Sequence, residues 1–376
     1  MKKLFVLFLA LAVLLPVRVS AAGPEVSALA VLLMEKSTGQ VLYEENAHAP
    51  LEPASVTKIM TLLLIEEALD AGQLAKDTMV PVSANAAGMG GSQVYLKEGE
   101  ELSADEMLKA IAVASGNDAS VAMAEYLSGS ESAFVEKMNQ KAAQLGMADT
   151  VFQNCTGLPA EGHHTSAYDI ALMSRELILN HPDIRTYTTI WMDALRDGTF
   201  QLSNTNKLIR FYPGATGLKT GSTDSALYCL SATAEKEGME LIAVVLGAPT
   251  SADRFESAKS LLNYGFASYA LVTPAPSEPL SPVEVTLGVK GSVMPEIDGQ
   301  TQLLLPREEA GQVTTTLDLA DAVPAPVEEG QTLGHLTVLV DGEKRGELPL
   351  VAGETVEKLS LLRVYRGLLT TLFCGG

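Results

Sequence analysis

The chain has 376 residues, 47% of them hydrophobic and 5% aromatic, with a formal net charge of −20. That length supports two domains and a sizeable core. The charge argues against nucleic acid as a partner and means that any anionic substrate must be held by local cations working against the global field.

The chain opens with Lys2-Lys3, an apolar run from Leu4 to Val17, and the small residues Val19-Ser20-Ala21-Ala22. A basic start, a short apolar run and a small-residue cleavage site describe a secretory signal over residues 1–22. The run is shorter than the roughly 20 apolar residues that a membrane-spanning helix needs. The expected location is therefore outside the cytoplasm. Three cysteines, Cys155, Cys229 and Cys374, are too few and too scattered for a disulfide framework; free thiols are the expected state, with a single Cys155–Cys229 bond as the alternative.

Ser27–Glu35 and Gln40–Glu45, joined by Lys36-Ser37-Thr38-Gly39, predict a β-hairpin. Next, Pro53 marks a turn into an apolar helix that runs to about Asp70 and stops at Gly72. Its first turn carries Ser55 and Lys58, and residues three apart share a helix face. A lysine that loses its proton can activate the serine hydroxyl as a nucleophile. Ser-x-x-Lys is common by chance, and an N-cap serine beside a solvated lysine would look the same, so the pair needs partners.

Ser103-Ala104-Asp105-Glu106 is a capping box that opens an amphipathic helix through Val113. Ser115-Gly116-Asn117-Asp118 then forms a tight turn before a second helix, roughly 119–127, which can project Ser115 and Asn117 into a cleft. Helices are expected over about 131–145 and 168–179. The glycine-rich stretch Tyr212–Ser222, followed by the apolar segments 226–234 and 241–247, predicts an antiparallel meander with Lys219 and Thr220 at a strand end. A last helix, about 252–266, begins with Arg254.

Pro274, Pro276, Pro279 and Pro282 mark a stiff linker. Beyond it, residues 283–352 alternate in short stretches, with a hairpin expected around Asp341-Gly342, and predict a small β domain acting as spacer or scaffold. In the tail, Leu361, Leu362, Tyr365, Leu368, Leu369 and Leu372 form one helical stripe over 357–373, with Lys358, Arg363 and Arg366 elsewhere. Such a segment suits the plane of a membrane interface.

Ser55-x-x-Lys58, Ser115-x-Asn117 and Lys219-Thr220-Gly221 follow in the order carried by active-site-serine penicillin-recognising enzymes. Longer strings strengthen the match: Ala54–Thr61, Ser115–Ala119, His164–Ala167, Asn204–Leu208 and Gly217–Gly221. Over nearly its whole length the chain resembles the D-alanyl-D-alanine carboxypeptidases, the low-molecular-mass penicillin-binding proteins. The resemblance implies an α+β, DD-peptidase/β-lactamase-like catalytic domain, an antiparallel sheet flanked by helices, followed by a small all-β C-terminal domain and a C-terminal amphipathic helix. The implied layout is a signal peptide (1–22), catalytic domain (23–272), linker (273–282), β-rich domain (283–352) and membrane-association tail (353–376), on the outer face of the cell membrane.

The resemblance also implies roles. Ser55 attacks the carbonyl between the two terminal D-alanines of a peptidoglycan stem peptide, Lys58 takes its proton, and Ser115 relays it to the leaving amine. Asn117 bonds the substrate backbone, while the amides of Ser55 and Ser222 form the oxyanion hole. Lys219, Thr220 and Gly221 hold the terminal carboxylate with help from Arg254. β-Lactams acylate the same serine, and no cofactor or metal is implied. His163 and His164 are adjacent and point differently, which disfavours a shared metal, and His164 is expected to be structural. Tyr168 departs from the arginine that many relatives carry.

The same residues also suit a DD-transpeptidase or endopeptidase, and a non-catalytic wall-binding protein is the alternative from another class. A β-lactamase is disfavoured because Gly116 replaces the aspartate of class A enzymes and only Glu161 is available in the 154–167 loop.

Overall fold

The structure is a computed structural model that describes residues 23–299, 301–361, 363 and 365. The expected leader, and all but a few residues of the amphipathic stripe, lie outside the described residues.

The catalytic half is organised by a five-stranded sheet of β1 (Ala30–Glu35), β2 (Val41–Glu45), β3 (Ala215–Thr223), β4 (Leu227–Lys236) and β5 (Met239–Ala248), in the order β2-β1-β5-β4-β3. Every neighbouring pair is antiparallel. The expected hairpin is β1-β2, whose turn is closed by Gly39 at φ 70° and by the Glu35 carboxylate, which accepts from the amides of Ser37 (2.9 Å) and Thr38 (2.6 Å).

Strands β1 and β5 are buried throughout, so they read as continuous apolar runs. Successive side chains nevertheless alternate between two cores. Leu32, Met34, Ile242 and Val244 enter the larger one, with α1 (Lys58–Asp70), α2 (Ala104–Ala114), α3 (Asn117–Ser128), α4 (Glu131–Gln144) and α5 (Ala167–Asn180). Val31, Leu33, Ala243 and Val245 enter the other, beneath α6 (Ser251–Ser268). Each fully buried Leu or Ile contributes about 1.5–3 kcal/mol to that burial. The helix starts follow the sequence: Ser103, Ser166 and Thr250 each cap with a side-chain oxygen.

Helix α1 is buried nearly all round, and it carries Lys58, Thr61 and Glu66 into the interior along with Ile59, Met60, Leu62 and Leu63. The sequence pattern missed two small ribbons, Met79–Pro81 with Glu101–Ser103 and Met192–Leu195 with Phe200–Ser203. Their strands are three and four residues long, too short for a period-two signal.

Thr273–Pro282 has no regular structure. Just before it, β6 (Tyr269–Val272) pairs antiparallel with β8 (Leu303–Pro306) from beyond the prolines, and Arg307 donates to the Phe266 carbonyl (3.1 Å) and ion-pairs with Glu237 (3.1 Å). The β-rich half contains β7 (Val283–Thr286), β9 (Val313–Leu319), β10 (Thr332–Val340) and β11 (Glu343–Ala352); β10 and β11 form the expected hairpin at Asp341-Gly342. Its cores are two small clusters. After β11 the chain stays extended through Ser360, where a helix was expected from 357, because Val356 and Lys358 bridge to Val327 and Gly288. Helix begins at Leu361. Among the described residues, no helix is long and apolar enough to cross a membrane.

The buried Glu66 carboxyl has one oxygen without a partner, and burial pushes its pKa up to about 7. The folded state thus holds a proton that the unfolded chain releases near the ordinary value of 4.5, so stability falls as pH rises from about 4.5 to 7. Glu66→Gln is expected to stabilise the protein by roughly 2 kcal/mol at pH 8 and to change little at pH 4; urea denaturation at the two pH values checks this.

Candidate active site

Ser55 lies on a 3-10 turn, Ala54–Thr57, that runs directly into α1 at Lys58. The tighter turn replaces the α-helical first turn expected there, and it still leaves Ser55 Oγ 3.0 Å from Lys58 Nζ. Ala54 sits at φ 48°, a left-handed conformation that costs a non-glycine residue on the order of 1 kcal/mol. A chain of hydrogen bonds holds it there. The Gln153 amide donates to His163 Nδ1 (3.1 Å), His163 Nε2 lies 2.9 Å from Thr57 Oγ1, and Thr57 Oγ1 donates to the Ala54 carbonyl (2.9 Å). Burial pushes the His163 pKa down to about 4, so the ring is neutral at neutral pH, and the donor at Nδ1 places its hydrogen on Nε2. Gly157 packs against the same turn, where a Cβ would come within 1.8 Å of the Ala54 oxygen.

Lys58 is fully buried, and its ammonium nitrogen has three neighbours: Ser55 Oγ, Asn117 Oδ1 at 2.6 Å and the Thr156 carbonyl at 2.7 Å. Burial lowers its pKa to about 7. A neutral amine has two N–H groups, which the two carbonyl oxygens accept, and its lone pair is then left for the Ser55 hydroxyl.

Helix α2 ends at Ser115 in the left-handed conformation (φ 61°), and α3 begins two residues later at Asn117. This abrupt junction turns Ser115 Oγ toward Lys219, which donates to it at 2.8 Å and to the Thr220 carbonyl at 2.8 Å. Asn117 is occupied on both ends of its amide, since Nδ2 donates to the Gly90 carbonyl (2.7 Å). The buried Asp118 accepts from the amides of Val94 and Leu96 (3.0 Å each), and the Asn117 amide donates to Ser92 O (2.8 Å), so one helix start fastens the 90–96 loop.

Strand β3 forms the opposite wall. It is an edge strand, bonded only to β4, so one row of its backbone groups is left for a ligand. Lys219 is fully buried, and burial, reinforced by the positive charges of Lys58 and Arg254, holds its pKa well below the ordinary lysine value. Thr220 Oγ1 donates to Thr205 Oγ1 (2.6 Å), and Ser222 is exposed at the rim. At Gly221 an added Cβ would lie 2.8 Å from both Pro53 O and the Ser55 amide nitrogen, so the glycine is what lets the strand meet the serine turn. Arg254 is buried behind the strand and donates to the carbonyls of Gly221 (3.1 Å) and Cys229 (3.3 Å), with burial lowering its pKa to about 10.

The structure therefore brings Ser55, Lys58, Ser115, Asn117, Lys219, Thr220 and Gly221 together, with Arg254 behind the strand and Ser222 exposed next to Gly221. Sequence reasoning missed the Thr156 carbonyl, which carries no side-chain signal, and the Thr57–His163 link, whose partners are 106 positions apart. Asp118 and Thr205 stood inside the quoted strings without a role. His164 shares no partner with His163: its Nδ1 lies 2.9 Å from the Gly162 carbonyl, whereas His163 meets Thr57 and Gln153. Tyr168 stacks obliquely on His48, with 4.7 Å between ring centroids. Glu161 is exposed, and Cys155 and Cys229 are free and buried.

A family model described as D-alanyl-D-alanine carboxypeptidase matches residues 17–250, and one for the C-terminal domain of penicillin-binding protein 5 matches residues 277–358. The chain belongs to the D-alanyl-D-alanine carboxypeptidase family. Among relatives, the carboxypeptidase DacF of Bacillus subtilis is 45% identical over 336 residues, covering 88% of this chain and 86% of that protein. DacC of Escherichia coli is 34% identical over 345 residues, covering 89% and 86%. Penicillin-binding protein 5 from Haemophilus influenzae superposes with a TM-score of 0.76 at 29% identity, covering 90% of this chain and 99% of that one. Penicillin-binding protein D2 from Listeria monocytogenes, solved in an ampicillin-bound form, gives 0.59 at 32% identity over 64% of this chain and 98% of its own. This carboxypeptidase is thus a serine-type hydrolase of the penicillin-binding group, with the α+β fold and all-β second domain that the sequence implied.

Gly221→Ala is expected to slow D-alanine release from a D-Ala-D-Ala peptide at least about tenfold, the cost of roughly 1.4 kcal/mol in transition-state positioning, with an unchanged circular dichroism spectrum.

Proposed function

We propose that Ser55 is the nucleophile of a D-Ala-D-Ala carboxypeptidase reaction and Lys58 its general base. The observation that carries this reading is the Lys58 amine, buried and 3.0 Å from Ser55 Oγ, with two carbonyl acceptors taking its other contacts. Ser55 Oγ bonds to the penultimate D-alanine carbonyl carbon as its proton passes to Lys58. The amides of Ser55 and Ser222 stabilise the developing oxyanion. Ser115 passes the proton to the leaving amine, the C–N bond breaks, and D-alanine departs. Water then attacks the acyl-enzyme, returning Ser55 and the shortened peptide.

Lys219 and Thr220 bind the terminal carboxylate, whose negative charge restores the proton that burial disfavours on Lys219. Arg254 adds positive potential from behind and fixes the Gly221 carbonyl. Asn117 keeps Lys58 in place with Oδ1, and the substrate backbone would have to take over the bond it now makes to Gly90. A β-lactam presents a strained amide to the same serine, and its acyl-enzyme is expected to be long-lived, since Glu161, the acid in that loop, is exposed and has no hydrogen bond to the site among the described contacts. Transpeptidation uses the same steps with an amine in place of water; the DD-transpeptidase of Streptomyces K15, a structural relative at a TM-score of 0.60 and 27% identity, favours keeping that reading as the second.

The proposed organisation is a signal peptide over 1–22, the catalytic domain over 23–272, a linker over 273–282, a β-rich spacer over 283–352 and a membrane-associating tail over 353–376. The enzyme acts outside the cytoplasm on peptidoglycan stem peptides, attached to the outer face of the membrane by that tail.

The test is D-alanine release from a peptide ending in Lys-D-Ala-D-Ala by the chain from Gly23, with Ser55→Ala beside it. Loss of release in the variant supports the assignment; equal release overturns it. In the same assay kcat/KM is expected to rise with pH through about 7 and then level, because the base is active only after losing its proton at a pKa of about 7. A flat profile from pH 6 to 8 would remove Lys58 from that role.

A further inference from the structure

Among the described residues of the β-rich half, Leu287 is the most exposed large apolar side chain before the tail, ahead of Met294 and Leu317. The turn between Thr286 and Gly291 holds Leu287 at φ 59° and 70% exposed. A β-region would be easier for a leucine, and left-handed non-glycine residues persist where the surroundings over-determine them. Here the surroundings are the segment from which the tail departs. The Val289 amide donates to Glu357 O (2.8 Å), the Leu359 amide donates to Leu287 O (2.8 Å), and Gly288 bridges to Lys358. Gly288 has no room for a Cβ, which would lie 2.6 Å from the Lys290 oxygen and 2.9 Å from Val356.

The turn is thus tied by backbone bonds to the start of the tail, where Leu287 (70% exposed) is joined to Leu359 (37%), and the next described apolar residues, Leu361 (90%) and Tyr365 (61%), are exposed as well. The charge there runs against that of the chain. Residues 358–366 contain Lys358, Arg363 and Arg366 and no acid, and Lys290 stands on the turn itself, against a chain total of −20. Lys290 pairs with Glu354 and Arg363 with Glu357 (3.4 Å), so these two acids are the partial counterweight. Exposed leucines and a tyrosine rimmed by cations are the composition of an interfacial lipid contact, where apolar groups enter the acyl boundary and cations meet anionic headgroups.

We propose that the Thr286–Gly291 turn, with Leu287 at its tip, is a second lipid-contacting element that inserts beside the tail into the anionic surface of a membrane. The inference rests on the membrane reading of the tail and adds that the β domain itself touches lipid. Two anchors would set how that domain stands on the surface, which a single point of attachment cannot do.

The test uses the chain from Gly23 in a Cys374→Ser background, where the remaining thiols, Cys155 and Cys229, are buried. Leu287→Cys carries an environment-sensitive fluorophore, and Asp197→Cys, exposed on the catalytic half, is the control. Vesicles of phosphatidylglycerol and phosphatidylethanolamine are expected to shift the Leu287 label to the blue and leave the control unchanged, with a weaker shift on phosphatidylcholine. Leu287→Glu is expected to lower partition to the anionic vesicles about tenfold, in line with the loss of one buried leucine, with thermal melting and D-alanine release as in the parent. An unshifted label on a chain that sediments with vesicles overturns the inference and leaves the tail as anchor. A chain that does not sediment at all overturns the membrane reading with it. A blue shift without vesicles that grows with protein concentration assigns the patch to a second copy of this chain instead.

Discussion

Two lysines without access to water, in one cleft, are the constraint from which the rest of the site follows. Removing an ammonium from water costs several kcal/mol unless polar groups replace the lost solvent or the proton is given up. Both responses are present. Lys58 is surrounded by Asn117 Oδ1, Thr156 O and Ser55 Oγ, and its pKa falls to about 7; Lys219 is met by Ser115 Oγ and Thr220 O. Ser55 and Thr220 are local to the lysines they meet, but Asn117, Thr156 and Ser115 lie 59 to 104 positions from them, so the lysines are fully solvated by protein groups only when those segments have come together.

The architecture supplies those acceptors from rigid pieces. The sheet brings β3 to its edge, with Arg254 gripping it from behind, and Gly221 removes the one side chain that would keep the strand from the serine turn. Across the cleft, the break between α2 and α3 sets Ser115 and Asn117 at angles that a continuous helix would not allow. Beneath it, the neutral His163 and Thr57 fasten the strained Ala54 carbonyl. Precision here comes from backbone junctions, where strand, turn and helix ends meet.

The sequence made the candidate site residues legible because each sits in a short string with its own local signal: a Pro-marked helix start, a Ser-Gly-Asn break, a glycine-flanked strand end. The buried helix α1, the capped starts at Ser103 and the β1-β2 hairpin were readable for the same reason. What stayed hidden was non-local. The ribbons are too short for periodicity, the Thr156 carbonyl has no residue-type signature, and the pairing of β6 with β8 spans the proline segment that composition marks as a boundary. The extended course of 357–360 was missed because its partners, Gly288 and Leu287, lie some 70 residues away and impose a conformation that local helical spacing contradicts.

Asn117 joins two things that are usually separate. Its amide oxygen faces Lys58, and its amide nitrogen is tied to Gly90 in the 90–96 loop. An amide group is rigid and polar in opposite senses at its two ends, so it cannot release the loop by rotating without presenting a donor to the amine in place of an acceptor. The loop and the amine thus share one latch: if Gly90 moved away while the amide stayed put, the surroundings of Lys58 Nζ would be unchanged, whereas an amide that turned to follow it would reverse the polarity beside the amine.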